Sequence, residues 1–355
     1  MRVLHVIQEL RTGGAERVVL ALAAGSVARG DTVAVVAADG ALAPSFPGTR
    51  FDLPMVAQRP QRLPLAAVAM ARAVRRFRPD VMHVHNPAAA LASALAWPLA
   101  GRPRMLTTIH GVAAPDYARL ARFARLVPGP LVACGPAVAA AMREAGCRVD
   151  AVVVNGVEAP PVGLTCPAAR ASLRDPLGLA EDTRAVLVVG RLVEQKNQAL
   201  GIRALARLDG HVLLLAGSGS DSESLEALAV SLGVADRVQF LGDRTDARAL
   251  LSAADVVLVP SRWEGLSLAV LEAMWSGTPI VATDVVGVKE LLVDGRDALM
   301  VPDDDTDALV DALRRLATDS DLGPALAARA RATAPEYGAD RMVDAYYSLY
   351  AERAR

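Results

Sequence analysis

Short, β-branched apolar runs recur along the whole chain, and the stretches between them return apolar residues at helical spacing. The runs fall at 2–7, 31–38, 79–85, 105–109, 131–133 and 151–154, then at 185–189, 211–216, 237–242, 255–259 and 279–282. A strand that is apolar on both faces must be covered on both, and helices between successive strands do that covering. The alternation predicts α/β folding as two doubly wound, Rossmann-like domains that face a cleft. A length of 355 residues allows each domain its own core. Residues 158–176, with Pro160, Pro161, Gly163, Pro167 and Pro176, read as a linker. The predicted domains are 1–165 and 166–335, followed by an amphipathic segment, 336–355, that carries Tyr346, Tyr347 and Tyr350.

Other features exclude alternatives. The longest uncharged stretches, 86–101 and 126–142, are too short for a membrane span and are broken by prolines. Strand-like residues followed by Gln8 and Glu9 leave no visible signal peptide at the N-terminus. Cys134, Cys147 and Cys166 make no C-x-x-C pair or disulfide framework, as expected in a reducing cytoplasm. The charge is uneven: residues 1–165 hold 18 Arg and no Lys against 10 Asp plus Glu, a net of +8, so the remainder is −9. A basic first half suits an anionic acceptor or peripheral contact with an anionic membrane at its cytoplasmic face. Scattered arginines on solvated helices would explain it equally well.

The segment 261–277, S-R-W-E-G-L-S-L-A-V-L-E-A-M-W-S-G, carries the strongest chemistry. Asp255 to Val259 reads as a buried parallel strand, a loop carries Glu264 and Gly265, and Ser267 stands where it can cap the following helix. The backbone N–H groups of Leu266, Ser267 and Leu268 then lie at a helix N-terminus, where an anion binds well. Glu264 in the loop and Glu272 in the helix suit a ligand with hydroxyls at both ends and phosphates between them, the layout of a nucleotide-sugar.

Several further turns follow predicted strands. Gly13-Gly14 opens a helix and allows close backbone approach, but it is not the G-x-G-x-x-G of a dinucleotide site. His110 precedes Gly111 at a strand end, where it serves either a ligand or a backbone carbonyl. Gly190 introduces Arg191 and Lys196, two cations at the mouth of the second sheet. Gly217 begins a glycine-rich turn without the G-K-[ST] of a nucleotide hydrolase. His83 and His85 alternate onto one face, but no third metal ligand is evident, so neither a metal nor a cofactor is expected. His5 reads as a core-edge histidine. Asp303-Asp304-Asp305 reads as a helix cap rather than a metal-binding D-x-D.

E-G-L-S-L-A-V-L-E at 264–272 and G-R-L-V-E-Q-K-N at 190–197 resemble signatures of the retaining glycosyltransferases of GT-B architecture, glycosyltransferase family 4. G-G-A-E at 13–16, T-I-H-G at 108–111 and V-V-N-G-V at 153–157 extend the resemblance over nearly the whole chain. It implies that Glu264 contacts the transferred sugar, Glu272 the ribose, and Arg191 with Lys196 the diphosphate. His110 would reach the sugar from the first domain, Gly13 and Gly14 would line the cleft, and the terminal helix would cross back onto that domain. The second-domain turns at Gly190, Gly217 and Gly265 would let backbone approach the donor. The donor would be a UDP- or GDP-sugar, and the acceptor a glycan, a lipid-linked glycan or a small molecule, with no nucleic acid involved. The G-G-x-x-E element of the family is altered here, because Val286 takes the place of its first glycine, and Glu290 is left out of the site. A sugar-nucleotide 2-epimerase and a catalytically inactive partner protein are the rival readings. The first would turn over without acceptor. The second is disfavoured by the intact Arg191, Lys196, Glu264 and Glu272.

Overall fold

A computed structural model of the chain describes residues 1–54, 60–160 and 167–351. These form two units, Met1–Glu158 with Ala339–Arg355, and Ala159–Gly338.

The first unit is built on a parallel sheet of seven strands: β1 Arg2–Glu9, β2 Thr32–Ala38, β3 Thr49–Asp52, β4 Val81–Val84, β5 Arg104–Ile109, β6 Leu131–Ala133 and β7 Ala151–Val152. The spatial order is β3-β2-β1-β4-β5-β6-β7, so the winding reverses between β1 and β4. Alternation along the strands divides the sheet chemically. Leu4, Val6, Met82 and Val84 join one apolar cluster with Met70, Val74 and Phe77 of the helix Leu63–Phe77. His5 and His83, register partners across β1 and β4, have the opposite parity. The C-terminal helix Ala339–Ala351 reaches His83 through Tyr350 and packs against the helix Gly14–Ala28 so closely that a Cβ on Gly25 would come within 2.8 Å of Val343.

The second unit repeats the plan with six strands: β8 Arg184–Val189, β9 His211–Ala216, β10 Val238–Gly242, β11 Val256–Val259, β12 Ile280–Thr283 and β13 Leu299–Val301. Its order is β10-β9-β8-β11-β12-β13, with the reversal between β8 and β11. Val186, Val188, Leu213, Leu215 and Leu258 pack with Leu200, Ile202, Leu309 and Leu313 of the covering helices.

Three differences from expectation have local causes. β3 follows the run 31–38 where no strand is expected: it is a short edge strand, T-R-F-D, that borrows its order from β2. β13 also pairs on one side only, with β12. Within the expected linker, Pro167–Arg174 is helical, and Arg174 is buried, donating to the carbonyls of Ala253, Ala180 and Thr183 and to Asp255. The predicted boundary at 165/166 lies outside the described residues. Among the described residues no helix is long and apolar enough to cross a membrane.

Candidate functional site

In parallel α/β sheets, ligands meet the carboxyl ends of the strands where the winding reverses. In the second unit that place is formed by the loops after β8 and β11, where Lys196 and Glu264 meet and Gly190 lies against Gly217. Gly190 (φ +153°) and Gly217 (φ +150°) bring two loops so close that a side chain on Gly217 would collide with the carbonyl of Gly190. Leu192 N–H donates to the Ser218 carbonyl at 2.9 Å, and Asp221 N–H returns a bond to the Leu192 carbonyl at 3.0 Å. A one-turn helix, Glu194–Lys196, follows and ends at Asn197, whose left-handed backbone (φ +47°) turns Lys196 away from the next helix. The loop after β11 is tied to this one twice: Arg262 N–H donates to the Gln195 carbonyl at 2.8 Å, and Gln195 Nε2 to the Trp263 carbonyl at 3.0 Å.

This bracing sets up a compact charge pair. Lys196 Nζ lies 2.6 Å from Glu264 Oε1, and the Ser261 hydroxyl donates to the same oxygen at 2.7 Å. The two charged side chains are 18% and 6% exposed, so the pair is largely dry. Glu272 is also buried and lies 3.3 Å from Arg248 Nε. The Arg191 guanidinium is exposed, and among the described residues no ion pair holds it, while Gln198 Nε2 anchors its backbone carbonyl at 2.9 Å. Gly265, Leu266, Ser267 and Leu268 are buried where this loop enters the helix Leu268–Ser276. Ser267 occupies the N-cap position but its hydroxyl does not cap. The Oγ is shut from solvent and has no hydrogen-bond partner among the described residues. A buried hydroxyl beside helix N–H groups that lack intrahelical acceptors is an arrangement able to receive an oxygen-rich anion.

Sequence reasoning assigned no role to four residues that shape this site. Ser261 holds Glu264, Arg248 pairs with Glu272, and Gly219 leaves room for the Leu192 backbone. Gly287 packs against Glu264 so tightly that a Cβ there would meet the Glu264 carbonyl at 2.5 Å. Gly219 and Gly287 each had a signal, the glycine-rich turn after Gly217 and the altered glycine turn; Val286, beside Gly287, is 64% exposed, so the missing glycine costs the packing nothing. Asp305 accepts from Ala308 N–H at 2.9 Å as a helix cap, and Asp304 pairs with Arg203 and Arg262, which accounts for the acidic run.

The first unit places Gly13 at the N-cap of Gly14–Ala28, where the carboxylate of Glu16 folds back against it. His110 stands at the end of β5 beside a cluster holding four of the five histidines in the chain. His5 Nδ1 lies 3.1 Å from His85 Nε2, and His85 Nδ1 lies 3.4 Å from His110 Nε2. His83 belongs to a separate set, with Nδ1 2.7 Å from the Tyr350 hydroxyl and Nε2 2.8 Å from Thr108, whose hydroxyl meets Tyr346 at 2.8 Å. Burial holds all four rings neutral, lowering His5 to about 3 and His110 to about 4. It also takes His83 and His85 well below the usual range, helped by the neighbouring rings.

The expectation that His83 and His85 lack a third metal ligand needs correction. His5 brings one ligand atom within 4.8 Å of theirs. Its position on β1, far away in sequence, hid it. The donor set nevertheless fits a metal poorly, because His83 already spends both ring nitrogens on Tyr350 and Thr108.

Comparison with known proteins agrees across both units. Residues 12–159 match the model of Glycosyltransferase Family 4, and residues 183–319 that of Glycosyl transferases group 1. The lipopolysaccharide core biosynthesis glycosyltransferase LpsD of Rhizobium meliloti (strain 1021) is 32% identical over 294 residues, 79% of this chain and 78% of LpsD. LpsE, of the same description and organism, is 32% identical over 219 residues, 61% of this chain, and the chain spans just under two thirds of it, 63%. Anabaena HepE, solved with UDP and glucose, superposes with a TM-score of 0.86 at 24% identity, over 99% of both chains.

Proposed function

The chain belongs to glycosyltransferase family 4, and from that membership we propose that it moves a sugar from a UDP-sugar to an acceptor hydroxyl with retention of configuration. One observation carries the donor site: Glu264, paired with Lys196, shares its loop with the uncapped N-terminus at Ser267. Phosphate oxygens would satisfy the Ser267 hydroxyl and the N–H groups of Leu266, Ser267 and Leu268. Arg191 and Lys196 supply positive charge, which matters most as the glycosidic bond breaks and negative charge grows on the diphosphate. These cations do the work a metal does elsewhere, so transfer proceeds without one. HepE has also been solved with UDP-glucose, which supports uridine as the base.

Glu272 holds the ribose hydroxyls and Glu264 those of the sugar, with Lys196 and Ser261 fixing the orientation of Glu264. Neither is assigned as a nucleophile. The bond from the sugar to the phosphate oxygen breaks and one to the acceptor oxygen forms on the same face, while the acceptor proton passes to the departing phosphate. His110 takes part as an uncharged imidazole. The relatives LpsD and LpsE, by their description, build lipopolysaccharide core, which favours a glycan or lipid-linked glycan as acceptor.

Calorimetry with UDP-, GDP- and ADP-sugars in excess EDTA tests the donor half. UDP-sugar alone should bind, and Glu272→Ala should weaken it about tenfold or more, the loss of charge-assisted bonds to two hydroxyls. Binding that requires a metal, or that is indifferent to Glu272, overturns the reading. Release of a 2-epimer without acceptor would make the chain an epimerase.

A further inference from the structure

Three of the clustered imidazoles form a line. It runs from His5 Nε2 through the His5 ring to Nδ1, then to His85 Nε2 (3.1 Å), and from His85 Nδ1 to His110 Nε2 (3.4 Å), ending at His110 Nδ1. The two terminal atoms, His5 Nε2 and His110 Nδ1, are shut from solvent and have no hydrogen-bond partner among the described residues. A neutral imidazole carries one N–H and one lone pair. Three neutral rings in series therefore keep both internal hydrogen bonds in only two ways: every ring protonated on Nε2, or every ring protonated on Nδ1. The tautomer of His110 is thus coupled to that of His5, two rings away.

The ends decide between the two arrangements. Protonation on Nε2 throughout leaves an unmatched N–H on His5, a fully buried residue of β1. Protonation on Nδ1 throughout leaves His5 with only a bare lone pair and puts the free N–H on His110, which is only half-buried, just past the end of β5. Buried donors without acceptors are the rarer and costlier orphans. A ligand oxygen at His110 then satisfies the one remaining donor.

We propose that His5 and His85 are positioning residues for His110, locking it as the Nδ1–H tautomer so that it meets its ligand as a hydrogen-bond donor. The structural half of this stands on the imidazole line alone. The catalytic half rests on the reading of His110 as a participant in sugar transfer.

Two-bond proton–nitrogen correlation spectra of the full chain, labelled with ¹⁵N at histidine, read the tautomers directly at pH 7.5. His5, His85 and His110 should all show a protonated Nδ1 and a bare Nε2. His5→Leu should move the His110 nitrogens towards averaged values and lower kcat about tenfold, the scale of one positioned proton donor. His5→Asn, which returns a polar atom near the place of Nδ1, should restore much of both. Mixed tautomers in the native chain, or His110 signals indifferent to His5→Leu, would overturn the lock. Should His5→Leu fail to fold, the native spectrum still decides, because unlike tautomers among the three rings, or Nε2–H throughout, exclude the lock. If the His110 signals follow His5 while kcat stays level, the lock stands and the role of His110 in transfer falls.

Discussion

A single carboxylate oxygen, Glu264 Oε1, receives both the Lys196 ammonium and the Ser261 hydroxyl, and its surroundings leave little water to replace either. Removing one partner of such a pair costs more than the pair contributes, because the survivor stays charged and poorly solvated. Lys196→Met should therefore destabilise the chain by about 1–3 kcal/mol, with the residual exposure of Lys196 keeping the loss below that of a sealed pair. Lys196→Met with Glu264→Gln should recover most of that stability while activity stays lost. Urea denaturation of the two single variants and the double variant closes the cycle, and simple additivity would show that the two charges do not communicate. The sequence made Lys196 and Glu264 legible separately, each by its own motif. That they share one oxygen with Ser261 was not legible, because 68 residues separate Lys196 from Glu264 and no local pattern records the contact.

At the scale of elements, β1, β4 and β5 give one face to apolar packing and the other to imidazoles and hydroxyls. The helix Ala339–Ala351 closes that second face with Tyr346 and Tyr350, both buried. Strand alternation was readable, as was the placement of His83 and His85 on a common face. The partners were not, since β1, β4 and the terminal helix meet only in the folded sheet. This polar layer makes stability depend on pH in one direction. In the folded state burial lowers His5 to about 3 and His110 to about 4 and takes His83 and His85 well below the usual range, whereas in the unfolded chain all four gain protons below about 6.5. Their contribution is therefore complete above pH 6.5 and is lost as the pH falls from there towards 4, by up to about 1.4 kcal/mol per pH unit for each ring. Urea midpoints at pH 7.5, 6.0 and 5.0 should drop steeply over the last step. A level midpoint would mean that water reaches the rings.

Over the whole molecule, charge divides as the fold does, with net +8 in residues 1–165 and −9 in the rest. On the first unit the helix Tyr117–Ala124 and the turn after it expose Phe123 and Leu126 alongside Arg119 and Arg122. Basic and apolar groups side by side suit an anionic lipid surface, consistent with the lipid-linked acceptor proposed above. Sedimentation with phosphatidylglycerol vesicles should carry the chain down at low salt, and Arg119→Glu with Arg122→Glu should release it. Equal sedimentation with phosphatidylcholine would assign the effect to apolar contact alone. What the sequence determined by itself was local: the strand and helix periods, the glycines where backbones must approach, and the motif residues at strand ends. Local steric and solvation preferences write these into short stretches of chain. The tertiary structure alone decided the Lys196–Glu264–Ser261 contact, the edge strand β3, the uncapped Ser267 and the joining of His5 to His85 and His110. Each depends on which distant segments become neighbours, and that follows from burying two whole sheets at once, which no single stretch encodes.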